Sequence, residues 1–301
     1  MGLSIVPSGA SLESVATKAG TLDLLSSAPG IELVRGTLKR GERLNFVPAG
    51  PGEVGAHEVC LLTDGTLVAP DTLGAQRLSA GSLITSEGLL EPVSFTAETF
   101  VRFVYITSSP MFHHISRDMN ELRRLAVEIE VRDGYTADHC ERLQRLSYAT
   151  GLELGLNPSQ LYALDFGSYL HDVGKVRVPV AILTKPSALD AGEWAIIKRH
   201  PSFGREMLEP TFMRAASPIV EQHHERSDGS GYPFGLTENE ILVESAIVAV
   251  ADTYDAMTSD RPYCRGRSSA EALAELDSLA GTRLPKEVVR AFRSAVSQLQ
   301  E

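Results

Sequence analysis

Of the eight histidines in this 301-residue chain, at positions 57, 113, 114, 139, 171, 200, 223 and 224, four fall between His171 and Asp252, and His139 lies just before them. The stretch opens with His171-Asp172-Val173-Gly174-Lys175 and passes His200. It then reaches His223-His224-Glu225 and Asp228-Gly229-Ser230-Gly231-Tyr232-Pro233, and closes at Asp252. Neutral imidazole and carboxylate are the ligands that borderline divalent metals take. A histidine-poor chain that gathers its imidazoles beside Asp172 and Asp252 is therefore constrained to a fold in which residues distant in sequence meet around cations.

Helical spacing dominates from Asp133 onward, over 138–156, 159–173, 191–200, 216–224, 238–257, 269–279 and 286–299. Helix starts at Asn157-Pro158-Ser159 and Ser268-Ser269-Ala270-Glu271 agree with it. Strand-like alternation is absent there, which predicts an all-α bundle with side chains from several helices converging on an interior site. Residues 31–106 read differently. Short apolar runs at 31–34, 59–62, 66–68, 82–85, 93–95 and 100–106 recur between turns at Pro48-Ala49-Gly50-Pro51-Gly52 and Asp64-Gly65, which predicts an all-β sandwich or barrel. Before them, a short helix is expected near Ser11, with an apolar cluster at Leu22, Leu24 and Leu25.

A connecting helix is expected over 110–131, with Pro110 in its first turn. Phe112, Ile115, Met119, Leu122, Ala126 and Ile129 form a heptad seam along it. Such a helix can pair with its twin in a homodimer or bury the seam within its own chain, and the pattern leaves both open. His113 and His114 beside the seam need no metal. The expected organisation is multidomain α and β: a β-barrel regulatory domain at 1–108, the connecting helix at 109–132 and a helical catalytic domain at 133–301.

Hydrophobic content of 43% with 22% charged residues suits a protein that buries real cores. A net charge of -11 argues against a duplex nucleic-acid binder, which needs a basic face. Cys60, Cys140 and Cys264 form no C-x-x-C pair, so neither a disulfide framework nor a cysteine zinc site is indicated. The first twenty residues lack a basic region followed by an apolar core, and no run approaches the ~18 apolar residues of a membrane span. A cytoplasmic location is expected.

Asp172 follows His171 directly, and a carboxylate that bridges can hold two cations ~3.5–4 Å apart. His139 and Asp252 would complete one shell, and His200, His223 and His224 the other. Two cations so placed can bind a water between them, lower its pKa and aim a hydroxide at a phosphorus or carbonyl centre. Lys175, one helical turn beyond His171, can add a charge there. Asp172 and Lys175 are the expected catalytic residues.

The motifs around these positions are Asp133-Gly134-Tyr135-Thr136 before His139, then Leu170-His171-Asp172-Val173-Gly174-Lys175-Val176 with Leu183-Thr184-Lys185-Pro186. Arg199-His200-Pro201 and the His223 to Pro233 segment follow, and then Ala251-Asp252-Thr253-Tyr254-Asp255-Ala256-Met257-Thr258-Ser259-Asp260-Arg261-Pro262-Tyr263. Over about residues 133–296 the chain resembles the HD-GYP family, a branch of the HD metal-dependent phosphohydrolases. The resemblance implies a phosphodiesterase that opens cyclic di-GMP to pGpG and sometimes on to GMP, with iron or manganese foremost and nickel or zinc as alternatives. It implies His139, His171, Asp172, His200, His223, His224 and Asp252 as metal ligands, and Lys175 and Arg261 as phosphate contacts. Gly231, Tyr232 and Pro233 would shape the substrate pocket and face a partner of the diguanylate-cyclase type. Some members place a Glu four residues before the first ligand His and hold a third metal; Tyr135 stands there, so two ions are expected. Cys264 stands where the family has Lys or Arg, and Arg265 just beyond is a further substrate-binding candidate. The alternatives are a cyclic di-GMP-binding effector with little turnover and a phosphohydrolase of another nucleotide.

The N-terminal part resembles the jelly-roll barrels of the cyclic-nucleotide-binding and cupin families, on Leu38-Lys39-Arg40-Gly41-Glu42, Thr63-Asp64-Gly65-Thr66-Leu67, Leu78-Ser79-Ala80-Gly81-Ser82 and Ser86-Glu87-Gly88-Leu89-Leu90. The resemblance implies a sensory or dimerising barrel. A cupin H-x-H pair is missing before Glu58, where only His57 stands, and no phosphate-holding Arg follows Glu87. A ligand-free regulatory or packing module is expected.

Overall fold

The computed structural model describes residues 7, 9–16, 19–48, 57–70, 73–109, 112–132, 138–259 and 265–300, without the side chains of 113–115 and 300. The turn at 49–52, Pro110, the Asp133-Gly134-Tyr135-Thr136 motif, Arg261 and Cys264 lie outside the described residues. The chain divides into two compact units, 1–120 and 121–301.

The first unit is antiparallel β: β1 (Glu13–Ala16), β2 (Gly20–Ala28), β3 (Ile31–Leu38), β4 (Arg43–Phe46), β5 (His57–Asp64), β6 (Thr66–Val68), β7 (Arg77–Ser79), β8 (Leu83–Glu87), β9 (Val93–Ala97) and β10 (Val101–Thr107). One sheet has the order β1-β2-β3-β10-β5-β8 and the other β4-β9-β6-β7. From β3 onward the first strand pairs with the last and the second with the last but one, which is jelly-roll connectivity. Alternation along β3 and β10 turns Leu38, Val101 and Phe103 inward, where they meet Phe46, Leu62, Leu67 and Phe95.

Strands β1 and β2 stand where a helix starting near Ser11 is expected. The pairing of β2 with β3 shifts register between Leu24 and Ser26, so a bulge interrupts the two-residue period that would have marked a strand. Val15 and Leu24 nevertheless reach the core.

Helix α1 (Phe112–Arg132) follows the barrel. Phe112 packs with Val15, Leu24 and Val34, while its backbone N–H donates to Glu32 Oε2 at 2.9 Å. Leu122 and Ala126 belong to the core of the second unit with Cys140, Tyr169 and Leu170. The heptad seam is thus buried at Phe112, Leu122, Ala126 and Ile129 within the chain itself, which accounts for the pattern without a twin.

The second unit is helical: α2 (His139–Glu153), α3 (Pro158–Tyr169), α4 (Val180–Leu183), α5 (Ala191–Ile197), α6 (His200–Leu208), α7 (Ser217–Gln222), α8 (Val243–Thr258), α9 (Ser269–Leu279) and α10 (Lys286–Gln300), with a 3₁₀ turn at Val173–Arg177. Capping boxes start α3, α5 and α9 at Asn157, Asp190 and Ser268. The apolar run from Ala246 to Ala251 leaves α8 buried on all sides, and it packs against α2, α3, α7, α9 and α10. Three of the departures from the expected helix bounds matter for the site or have a local cause. Helix α8 begins at Val243 rather than 238, because Thr237 and Glu240 first close a turn through their side chains. The expected 191–200 helix breaks before His200, since Pro201 has no N–H to give and suits the first turn of a new helix. The expected 159–173 helix ends at Tyr169, and His171 and Asp172 fall between it and the 3₁₀ turn.

Candidate metal centre

Three of the site histidines lie at the C-terminal ends of helices or just past them. His171 follows α3, His200 comes after α5 and opens α6, and His223 ends α7. The last carbonyls of a helix find no partner inside it, and each imidazole takes the one three residues back. His171 Nδ1 donates to Ser168 O at 2.9 Å, His200 Nδ1 to Ile197 O at 2.8 Å and His223 Nδ1 to Val220 O at 2.6 Å. A carbonyl only accepts, so the proton sits on Nδ1 and Nε2 presents its lone pair, the tautomer a metal requires. His139, the first residue of α2, is oriented by a carboxylate instead: Nδ1 donates to Asp255 Oδ2 at 2.7 Å.

The Nε2 atoms meet at Asp172. Donor atoms of Asp172, His200, His223 and His224 lie within 4.8 Å of one another, and so do those of His139, His171 and Asp252. Asp172 faces both groups. Its Oδ2 is 3.3 Å from His171 Nε2, and its Oδ1 is 3.1 Å from His200 Nε2 and 3.7 Å from His223 Nε2. Asp252 Oδ1 faces His139 Nε2 at 3.9 Å.

These residues fit divalent cations on their own geometry. Among the described residues, His171 Nε2, Asp172 Oδ1 and Asp252 Oδ1 are buried and take no hydrogen bond. His200 Nε2 and His223 Nε2 stand 3.4 Å apart with a lone pair on each. Buried acceptors that face acceptors repel unless positive charge lies between them.

The two groups differ in charge. Burial works against the imidazolium of His171, but the Asp172 and Asp252 carboxylates outweigh it and push His171 up to about 9. Burial brings His223 down to about 4. Burial and then the His223 and His200 rings hold His224 well below the usual histidine range. For Asp172 burial alone would raise the carboxyl, yet Lys175 and His171 keep it well below the ordinary carboxylate range.

Lys175 reaches Asp172 Oδ2 with Nζ at 2.8 Å, from one turn along the 3₁₀ segment. Gly174 permits this turn to lie on α6, because a Cβ there would stand 2.0 Å from His200 O. Gly231 plays the same part for the loop: a Cβ would meet Glu225 Cα at 2.4 Å and Arg226 N at 2.5 Å. Glu225, buried, accepts the N–H groups of Phe234, Gly235 and Leu236, so the loop is tied to the residue next to His224. The Tyr232–Pro233 peptide is cis, and the Tyr232 ring lies 4.7 Å from that of His224 with Lys198 Nζ 5.6 Å from its centre. Arg261 lies outside the described residues, and Arg265 is exposed in the segment leading to α9.

Asp255 was not singled out from the sequence. It accepts from His139, from Arg142 Nε at 2.7 Å and Nη2 at 3.0 Å, and from Ser259 Oγ at 3.0 Å. Burial opposes its charge, but His139 and Arg142 hold its carboxyl far below the usual range. Its signal was the three-residue step from Asp252, which puts both on one face of α8.

Residues 124–288 match the HD domain family, more than half of the chain. The chain belongs to the HD domain family. Among relatives of this HD-domain chain, the cyclic di-GMP phosphodiesterase response regulator RpfG of Xanthomonas campestris pv. campestris is 38% identical over 188 residues, covering 62% of this chain and 50% of the relative. A cyclic di-GMP phosphodiesterase of Thermotoga maritima is 42% identical over 170 residues, 54% of this chain and 45% of the relative. A 3'3'-cGAMP-specific phosphodiesterase of Vibrio cholerae is 36% identical over 168 residues, 55% of this chain and 32% of the relative. The chain spans half or less of the length of these relatives. With the motifs quoted above, these relatives support the HD-GYP branch.

Proposed function

We propose that this chain is a phosphodiesterase that hydrolyses cyclic di-GMP to pGpG, GMP or both, at a centre holding two divalent cations, iron or manganese before nickel or zinc. The carrying observation is Asp172, whose two oxygens face two separate sets of imidazole lone pairs. The names of the relatives at 38% and 42% identity support the substrate. His139, His171, Asp172 and Asp252 would hold one ion and Asp172, His200, His223 and His224 the other. When bound, such a pair supplies an acidified water and neutralises the non-bridging oxygens of a phosphodiester.

The chain's own residues do the rest. The carbonyls of Ser168, Ile197 and Val220 and the carboxylate of Asp255 keep the Nδ1 protons of His171, His200, His223 and His139 outward, so these four rings need not reorient when substrate arrives. Lys175, paired with Asp172, places a cation where a phosphate oxygen would approach. Glu225 and Gly231 keep the loop close over His224, and Tyr232 presents a ring against which a nucleobase can pack. Arg261 and Arg265 are further candidates for phosphate contact.

Purified full-length chain loaded with iron or manganese should release pGpG or GMP from cyclic di-GMP, and His171→Ala with Asp172→Ala should not. Absence of product with iron, manganese, nickel and zinc alike would overturn the reading. A second reading, a phosphohydrolase of another cyclic dinucleotide, is favoured by the relatives named for 3'3'-cGAMP. Parallel assays with cyclic di-GMP and 3'3'-cGAMP decide between them, and tight binding with negligible turnover would identify an effector.

A further inference from the structure

Glu130, near the C-terminal end of α1, is only 3% exposed. Its Oε1 accepts the backbone N–H of Cys140. That amide belongs to the first turn of α2, where Asp138 makes no side-chain cap, so Glu130 does from a distance what a local cap does elsewhere. Its other oxygen, Oε2, is buried and takes no hydrogen bond among the described residues. Arg142 feels the charge of Glu130 but gives its hydrogen bonds to Asp255 and Ser259, while Arg132 pairs with Glu128 and Lys175 with Asp172. Glu130 lines a cavity of about 10 Å³ together with Cys140, Tyr169, His139 and Asp172. Such a space has room for about one water.

A buried carboxylate oxygen that takes no hydrogen bond is costly, and further positive charge nearby lowers the cost. Carboxylates just outside a coordination shell orient ligands and strengthen cation binding. Resting on the reading of Asp172 as the middle of a metal centre, we infer that Glu130 is a positioning residue for the cation held by His139, His171 and Asp252. Its Oε1 fixes the turn of α2 that carries His139, and its Oε2 directs negative charge into the cavity behind that ion. The Glu130 oxygens do not belong to the set of donor atoms lying within 4.8 Å of one another, so the contribution is orientation and charge rather than direct ligation.

The competing account is that Glu130 is a helix cap and nothing more. Glu130→Gln separates the two, because the amide oxygen still accepts the Cys140 N–H while the charge is gone. The full-length, metal-free protein is titrated with Mn²⁺ by calorimetry, bound metal is counted by elemental analysis, and Tm is measured without metal. Wild type should show two classes of site. Glu130→Gln should keep the metal-free Tm and weaken one class by about 10–100-fold, the same class that Asp252→Asn removes. Glu130→Ala should weaken that class and also lower Tm. Wild-type Mn²⁺ affinity at both classes in Glu130→Gln, or equal weakening of both, would overturn the inference and leave the metal-centre reading intact. A wild-type protein that takes up no Mn²⁺ would overturn both.

Discussion

Asp172 stands between two groups of candidate ligands, similar in side chain and dissimilar in surroundings. On one side His139 and His171 meet Asp252, with Asp255 and Glu130 close behind, so carboxylates set the field. On the other side His200, His223 and His224 crowd ring against ring, with Asp172 as their carboxylate. The consequence is a divergence in proton affinity, His171 moving up to about 9 and His223 down to about 4. Without an ion, His171 is thus biased towards its protonated form and His223 towards its neutral one near neutral pH. The field decides this, since the Nδ1 partners of His171 and His223 are both plain carbonyls.

The largest expected effect comes from removing what the halves share. Asp172→Asn should abolish binding at both classes of site and lower turnover by at least about 10³-fold, measured by elemental analysis and by product release. Survival of one full class would break the picture of a shared carboxylate.

Next, the halves should separate by single substitutions. His171→Ala should lose the carboxylate-rich class and His223→Ala the imidazole-rich one, each leaving about half of the wild-type metal content; loss of all metal in both would show a single inseparable site.

The pH dependence sharpens the contrast further. His171 must release a proton to accept an ion, so affinity at its class should fall about tenfold for each pH unit below about 9. His223 is already neutral above about 4, so across the neutral range it adds no such slope to the other class. Calorimetry in buffers of different ionisation enthalpy reads this directly, because the proton that His171 releases has no counterpart at His223. Parallel slopes for both classes would refute the assignment.

The smallest effect belongs to the loop. Glu225→Gln keeps shape but weakens three charge-assisted bonds to 234–236, at a cost of about 1–3 kcal/mol. It should raise KM for cyclic di-GMP several-fold while both metal classes keep their affinity. A matching loss of metal would mean that the loop supports His224 itself.

Much of the centre was legible because ligand chemistry is restrictive: few residue types bind divalent ions, and this chain uses histidine sparingly. His139, His171, His200, His223, His224, Asp172 and Asp252 could be gathered from spacing and resemblance. Asp255 and Glu130 could not, since one more Asp on α8 or Glu on α1 looks like any solvated helix charge until its neighbours are known. The strands β1 and β2 were missed for a related reason, the bulge after Leu24 having erased the alternation that marks a strand.

Local chemistry in the sequence determined the helical bundle and the jelly-roll barrel and singled out the candidate ligands, because periodicity and side-chain type act over a few residues. Only tertiary structure decided which oxygen of Asp172 faces which imidazoles and which carbonyls hold the Nδ1 protons. It also decided that Asp252, Asp255 and Glu130 gather behind His139 and His171. Those are properties of a field summed over helices far apart in the chain, and such a field exists only once the helices have packed.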